Sequence, residues 1–358
     1  MKQVVALVLI LSTLLISACG GSRKNDPIVV SQESLDTALE QAVDNSIIAA
    51  ADNFAEQAVG LSAKTSTFCS APGTATLSAA QTQWKLALEY WYRLEPYNFG
   101  PLNDDIVFPA YNYIDSLRLR GTDYTDTVRT DIDTMIAGSN PLSSSYFASK
   151  NFNQMGLLAI EAALFETAAT QSRTLTDILN EFASTPRKCD ILQGYTTQLA
   201  KRALYVEQGW RHQHKGSTSP YRELFLSNQL DDGAAPLTQL LAAIQEHLDY
   251  LQQRHVASVA AQISGHGWQA VNASIDEIEA LLEGKDSTST SFFDIMIASG
   301  YEASVETVRA NIQFARDSIA LQDAVQFEVA AAQLDGNFKR EIPNGLEVEL
   351  GINFTDGD

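Results

Sequence analysis

A glutamate inside a run of aliphatic residues is the first place in this sequence where a side chain has chemistry to do. Residues 155–166 read MGLLAIEAALFE, apolar apart from Gly156 and the two glutamates, Glu161 and Glu166. Ala and Leu favour helix here, and a helix apolar all round is normally buried all round. One turn to either side of Glu161 lie Leu157, Leu158, Leu164 and Phe165. A lone ionised carboxylate in that setting costs several kcal/mol. It must be paired, protonated, bound to a metal, or turned toward a wet cavity. Glu161 is therefore the leading candidate for a ligand anchor or metal ligand, and the competing reading is a buried ion-pair partner.

A second concentration of chemistry lies earlier. Residues 91–101, WYRLEPYNFGP, combine aromatics with turn-forming Pro and Gly. Arg93 suits a buried carboxylate or an anionic ligand, or else an ordinary surface salt bridge. Trp91, Tyr97 and Phe99, with Tyr111 in the following FPAYN segment (residues 108–112), offer the walls of a pocket or the edge of a core. His212 and His214 form the only close histidine pair. Residues two apart do not share a helix face, so a solvated helix end is expected there. His247, His255 and His266 are isolated and read as surface or loop residues. There is no HExxH, no GxSxG elbow and no free activated cysteine, which argues against a zinc peptidase or another hydrolase.

The elements that must carry these residues read almost entirely as helix. Residues 1–18 form a signal peptide: Lys2, an apolar run from Val4 to Ile16, then small residues. The run is too short to span a bilayer, which takes about 20 residues. Ile16-Ser17-Ala18-Cys19 resembles a bacterial lipobox, so Cys19 is expected to carry a lipid that tethers a soluble domain to the membrane. Gly20 after it favours the outer membrane, facing the periplasm. Residues 19–31 are a polar tether. Leu35, Leu39, Val43, Ile47, Phe54, Ala58 and Leu61 mark one buried stripe, ended by Pro72-Gly73. Ser78 with Gln81 has the pattern of a capping box for the next helix.

Pro186 marks the expected division into a helical bundle over 32–185 and a second over 186–340, each of about four helices. The end of the chain, 341–358, is an extended acidic tail, because Leu346, Val348, Leu350, Ile352 and Phe354 alternate with other residues at strand spacing. The fold class is thus all-α, two packed four-helix-bundle-like domains with a short extended tail. A net charge of −20, with 45% hydrophobic and 19% charged residues, describes a globular chain without a nucleic-acid surface. With Cys19 lipidated, Cys69 and Cys189 remain, either bridged, as two cysteines in an oxidising compartment usually are, or buried as free thiols.

Several of these motifs resemble the imelysin-like proteins. Gly156-Leu157-Leu158-Ala159-Ile160-Glu161 is similar to that family's GxHxxE segment, followed by its Leu-Phe pair, but Leu158 stands where the motif has histidine. Trp91 with Phe99-Gly100-Pro101 resembles the family's tryptophan helix running into a Phe-Gly-Pro turn. Phe68-Cys69 and Arg187-Lys188-Cys189 resemble its cysteine segments, and Trp268 and Ser274 carry over from a looser W-x-S…S region. The resemblance implies an all-helical envelope protein implicated in iron uptake, with a site between two bundles beside the GxHxxE helix. It adds Trp268 and Ser274 to the candidate ligand-binding residues. It also implies an iron or other divalent metal ion as a possible ligand, with Glu161 as its protein donor. Three functional classes stay open: a non-enzymatic binding component for a small ligand, metal or envelope protein partner; a metal-dependent peptidase; and a structural or interaction lipoprotein with a degenerate site.

Overall fold

The computed structural model describes residues 30–105, 109–118, 122–228, 235–285 and 290–350. The expected signal peptide, the expected lipidation site Cys19, most of the expected tether, Phe108 and residues 351–358 of the expected tail lie outside these residues.

The first bundle begins with α1 (Gln32–Ala42), capped by the Ser31 hydroxyl, which accepts from the Ser34 N–H. A π-helical turn over Val43–Ile48 leads without a break into α2 (Ala49–Ser70), and the expected stripe faces inward with Phe54, Ala58 and Leu61 fully buried. The next helix, α3 (Thr74–Leu94), starts directly after Gly73, four residues before the expected capping box. Ser78 is therefore inside the helix, and Gln81 donates instead to the Leu164 carbonyl at 3.0 Å. The missing proline N–H at Pro96 ends α3 in a 3-10 turn over Glu95–Tyr97.

The short α4 (Ala110–Ile114), α5 (Thr125–Ala137) and α6 (Ser144–Ala148) precede α7 (Gly156–Phe165), the apolar helix that carries Glu161. Gly156 has φ +81°, and a Cβ there would lie 2.4 Å from the Ile114 carbonyl oxygen. Only glycine lets α7 start this close to the end of α4. The chain continues through α8 (Leu175–Ser184) to α9 (Arg187–Arg211) and α10 (Tyr221–Leu226).

Pro186 separates helices but not bundles. Helix α9 packs along α2 and α7, burying Ile191, Leu192, Tyr195, Leu199, Ala203 and Val206 against them. Its first turn is joined to the end of α2 by a disulfide between Cys69 and Cys189, with Cα atoms 5.6 Å apart. Closing so long a loop stabilises the fold by roughly 5 kcal/mol in the chain-entropy model. The expected boundary at 185/186 thus moves beyond α9: a helix with an apolar stripe stays with the groove that covers the stripe.

The second bundle comprises α11 (Pro236–Gln253), the single turn α12 (Val256–Val259), α13 (Gly267–Glu283), α14 (Phe292–Ala298), α15 (Glu302–Leu321), α16 (Ala324–Lys339) and α17 (Glu341–Gly345). Helix α16 packs between α11 and α15, while α13 lies against α3 and forms the seam between the bundles. The described residues contain no strand. The tail therefore departs from expectation. Residues 341–345 are helical, the Leu346 N–H continues the turn to Ile342 O at 3.0 Å, and the Val348 N–H reaches Pro343 O at 2.9 Å. Alternation at Leu346, Val348 and Leu350 reflects one side packing on the core, since no neighbouring strand is present to complete a ladder.

Candidate functional site

Glu161 sits in the middle of α7 and is 2% exposed. Its Oε1 accepts a hydrogen bond from the Ser264 N–H at 2.8 Å, in the turn that leads into α13. The carboxyl thus bridges the two bundles. Burial pushes it up to about 7; the Ser264 hydrogen bonds oppose that shift, Glu166 adds to it and Arg173 opposes it. No lysine or arginine forms an ion pair with Glu161 among the described residues.

The carboxyl borders a small cavity of about 40 Å³. Leu158, one turn earlier on the same face, borders it too, as do Tyr92 of α3, Asp115 and Ser116 after α4, and Ala261 beyond α12. Asp115 is held by two donors, the Trp91 indole N–H to Oδ2 at 3.1 Å and the Leu117 N–H to Oδ1 at 3.0 Å. The Ser116 hydroxyl is buried without a hydrogen-bond partner among the described residues. The Tyr92 hydroxyl is held far above its ordinary range by burial and by the fields of Asp115 and Glu95, so it stays a neutral donor. The cavity lining therefore offers the buried carboxylates of Glu161 and Asp115, the exposed carboxylate of Asp123 at its rim, and hydroxyl oxygens, a donor set for a hard cation or for water. No group of three His, Cys, Asp or Glu that could hold a metal ion occurs among the described residues. A closed transition-metal site needs more donors than this cavity supplies, and Leu158 occupies the position from which a histidine would reach it.

The remaining expected site residues do not converge on this cavity. Arg93 lies 3.7 Å from Asp276 and 3.9 Å from Glu277, both on α13, so it serves the seam and is not the counter-ion of Glu161. The Tyr97 hydroxyl donates to Glu277 at 3.0 Å. Glu277 is raised by burial and lowered again by Lys285, whose ammonium is 3.0 Å away. Trp91 is fully buried against Phe54 and reaches the cavity only through Asp115. Phe99 belongs to an aromatic cluster with Trp210, Tyr221 and Phe225. Its neighbour Gly100, at φ +57°, meets the Tyr221 ring where a Cβ would be. Tyr111 packs half-buried at the edge of the core. Trp268 lies with Arg93 along an outer groove between α3, α13 and the end of α15.

Ser274 reveals a group that sequence reasoning missed. Its hydroxyl is 2.5 Å from Nε2 of His247, and His247 Nδ1 lies 3.9 Å from Glu95 Oε2, with His247 and Ser274 fully buried and Glu95 beside them. His247 is thus a core residue of α11 and not a surface one. The available signal was its place on the apolar stripe that includes Leu240, Ile244 and Leu251. Asp115 carried no such signal, because its partner Trp91 is remote in sequence. The other histidines stand nearer expectation. His255 pairs with Glu328 on the surface, and His214 packs on Tyr221 past the end of α9. His266 is covered and sits 2.7 Å from Glu89.

The family model for Imelysin, labelled Peptidase_M75, matches residues 47–347. Among solved structures, an imelysin-like protein from Psychrobacter arcticum 273-4 superposes with a TM-score of 0.65 at 16% identity, covering 91% of this chain and 99% of the other. A protein from Parabacteroides distasonis ATCC 8503, provisionally described as an iron-regulated protein A precursor, gives a TM-score of 0.61 at 12% identity over 88% of this chain and 96% of its own. No curated protein matches the sequence. At these identities the structural likeness speaks for the fold, while the family match runs through both bundles, including the α7 segment on which Glu161 stands: the chain belongs to the imelysin family.

Proposed function

We propose that this protein is a non-enzymatic binding component linked to iron uptake in the cell envelope, tethered through a lipid on Cys19, with its binding seat at Glu161 between the bundles. The observation that carries this reading is a buried carboxyl, poised near neutrality and without an ion-paired cation among the described residues, facing a small polar cavity shared with Asp115. Family membership and the iron-regulated description of one structural neighbour support the pathway. About 40 Å³ holds a few water molecules or one partly hydrated cation. The cargo would then be a hard cation held by Glu161 and Asp115, with water completing its shell.

The same dimensions weigh against a peptidase acting at this cavity. A peptide does not fit such a space, and among the described residues no three His, Cys, Asp or Glu side chains converge there as the protein ligands of a catalytic zinc. The test is metal content by mass spectrometry on untagged protein, followed by titration with ferrous, ferric and zinc ions. Stoichiometric metal lost in Glu161→Ala supports the reading. No metal bound at micromolar concentration overturns it and leaves a partner-binding lipoprotein with a degenerate seat. Chelator-sensitive cleavage of unfolded peptides, lost in Glu161→Gln, would restore the peptidase.

A further inference from the structure

On the first bundle, away from the Glu161 cavity, Arg202 of α9 stacks on the ring of Tyr113 of α4, its guanidinium carbon 3.8 Å from the ring centroid. Among the described residues no carboxylate lies within ion-pair distance of Arg202, and its Nε is buried without a hydrogen-bond partner. Burial pushes the guanidinium below its ordinary range, and no carboxylate counters that shift. Every other arginine whose pairing is described, Arg187 excepted, has a carboxylate; Arg187 caps the carbonyls of Met135 and Asn140. A half-buried cation without a counter-ion is costly. Stacking on tyrosine recovers only part of that cost and supplies no hydrogen-bond acceptor to the guanidinium N–H groups.

Arg202 borders a groove of about 390 Å³. Lys201 and Lys215 border the same groove, and neither is paired with a carboxylate: Lys201 donates to the Ser144 hydroxyl at 2.8 Å, and Lys215 to the Asp104 carbonyl. Asp104 and Asp105 also border it. Asp104 is engaged by the Tyr205 hydroxyl, and neither aspartate lowers the field at Arg202. In a chain of net charge −20, the three cations outnumber the two aspartates along this groove and leave its lining with a net positive charge.

We infer that this groove binds a small oxyanion, a carboxylate- or phosphate-bearing molecule, gripped by the stacked Arg202 fork and flanked by Lys201 and Lys215. A planar guanidinium held flat by an aromatic ring presents two parallel N–H donors, which match the paired oxygens of a carboxylate or phosphate. The groove volume exceeds what an isolated phosphate fills, so a multiply charged organic acid uses it best. This site shares no residue with the Glu161 cavity.

The experiment is isothermal titration of the mature protein at low salt with two probes, inorganic phosphate and citrate. Saturable binding of one or both, with Kd below about 1 mM, is expected, weakening as salt is raised. Binding of citrate alone identifies a polycarboxylate site, and binding of phosphate alone a phosphate site. Arg202→Gln should weaken the bound probe at least about tenfold, and Arg202→Lys should restore part of the affinity because charge returns without the fork. Glu161→Ala should leave it unchanged, which separates this site from the metal seat. No saturation by either probe in the wild type, or equal affinity in R202Q, overturns the inference. If R202Q does not fold, the double variant K201Q/K215Q decides, and unchanged affinity there overturns it as well.

Discussion

Glu161 and Glu166 lie five residues apart on and just beyond α7, each 2% exposed, and the fold treats them in opposite ways. Glu166, at the C-terminal cap, receives a bidentate grip from Arg129, with Nε to Oε1 at 2.7 Å and Nη2 to Oε2 at 2.9 Å. Lys188 donates to its backbone carbonyl at 2.9 Å, and Arg173 stands 3.9 Å off. Among the described residues Glu161 receives no cation and is hydrogen-bonded by Ser264 across the seam. Glu166 has the environment of a structural ion pair, which keeps a charge quiet inside the first bundle. Glu161 has that of a group left able to exchange a proton or a cation, at a point where α7 meets the turn before α13 through a side-chain hydrogen bond. Burial alone therefore does not separate a structural carboxylate from a functional candidate; the partner does.

The largest expected effect breaks the quiet member. Arg129→Ala leaves buried Glu166 with only the distant, largely exposed Arg173 as a cation, and should cost about 3–5 kcal/mol in urea unfolding at pH 7. A loss below about 1 kcal/mol would place the pair among ordinary surface bridges and erase the contrast with Glu161. The next effect concerns Glu161 itself. Its carboxyl is pushed up to about 7 from an ordinary value of 4.5, so the native state binds the proton more tightly than the unfolded chain. Wild-type stability from this group is fully present below about pH 4.5 and is lost as pH rises to about 7, by up to about 3 kcal/mol. Glu161→Gln removes that slope. The variant should melt higher than wild type at pH 8, and the two should converge near pH 4.5; parallel melting curves across this range would contradict the reading.

Smaller effects test how α7 is placed. Gly156→Ala forces a Cβ toward the Ile114 carbonyl at positive φ, and should cost about 1–3 kcal/mol in thermal unfolding. An unaffected melting temperature would mean that α4 and α7 separate freely. The smallest stability change, about 1 kcal/mol, is expected for Leu158→His, yet this variant is the most informative about function. Histidine and glutamate three apart share one helix face, so ferrous or zinc affinity in titration should rise at least about tenfold. No gain would show that the missing histidine is not what limits the seat.

Much of this was legible in the residues. The apolar run 155–166 announced a buried helix with a misplaced charge, the stripe running into α2 announced its inward face, and Cys69 and Cys189 announced a choice between bridge and thiols that the fold resolves as a bridge. The candidate site was legible only at its centre. Asp115 joins Glu161 through a short helix and a tryptophan on another element, and His247 meets Ser274 and Glu95 from three different elements. Arg93 looked like a partner for Glu161 because both are rare charges in apolar surroundings, but α3 turns it toward α13.

By itself the sequence determined helix, burial and the existence of an unresolved charge, because those follow from local periodicity and from the free energy of moving a carboxylate out of water. Only the tertiary structure decided which glutamate received a cation, which bundle claimed α9, and that the tail's alternation packs on a helical core without a strand partner. Those outcomes depend on which surfaces meet across long stretches of chain, and a one-turn change in how two helices dock exchanges one partner for another.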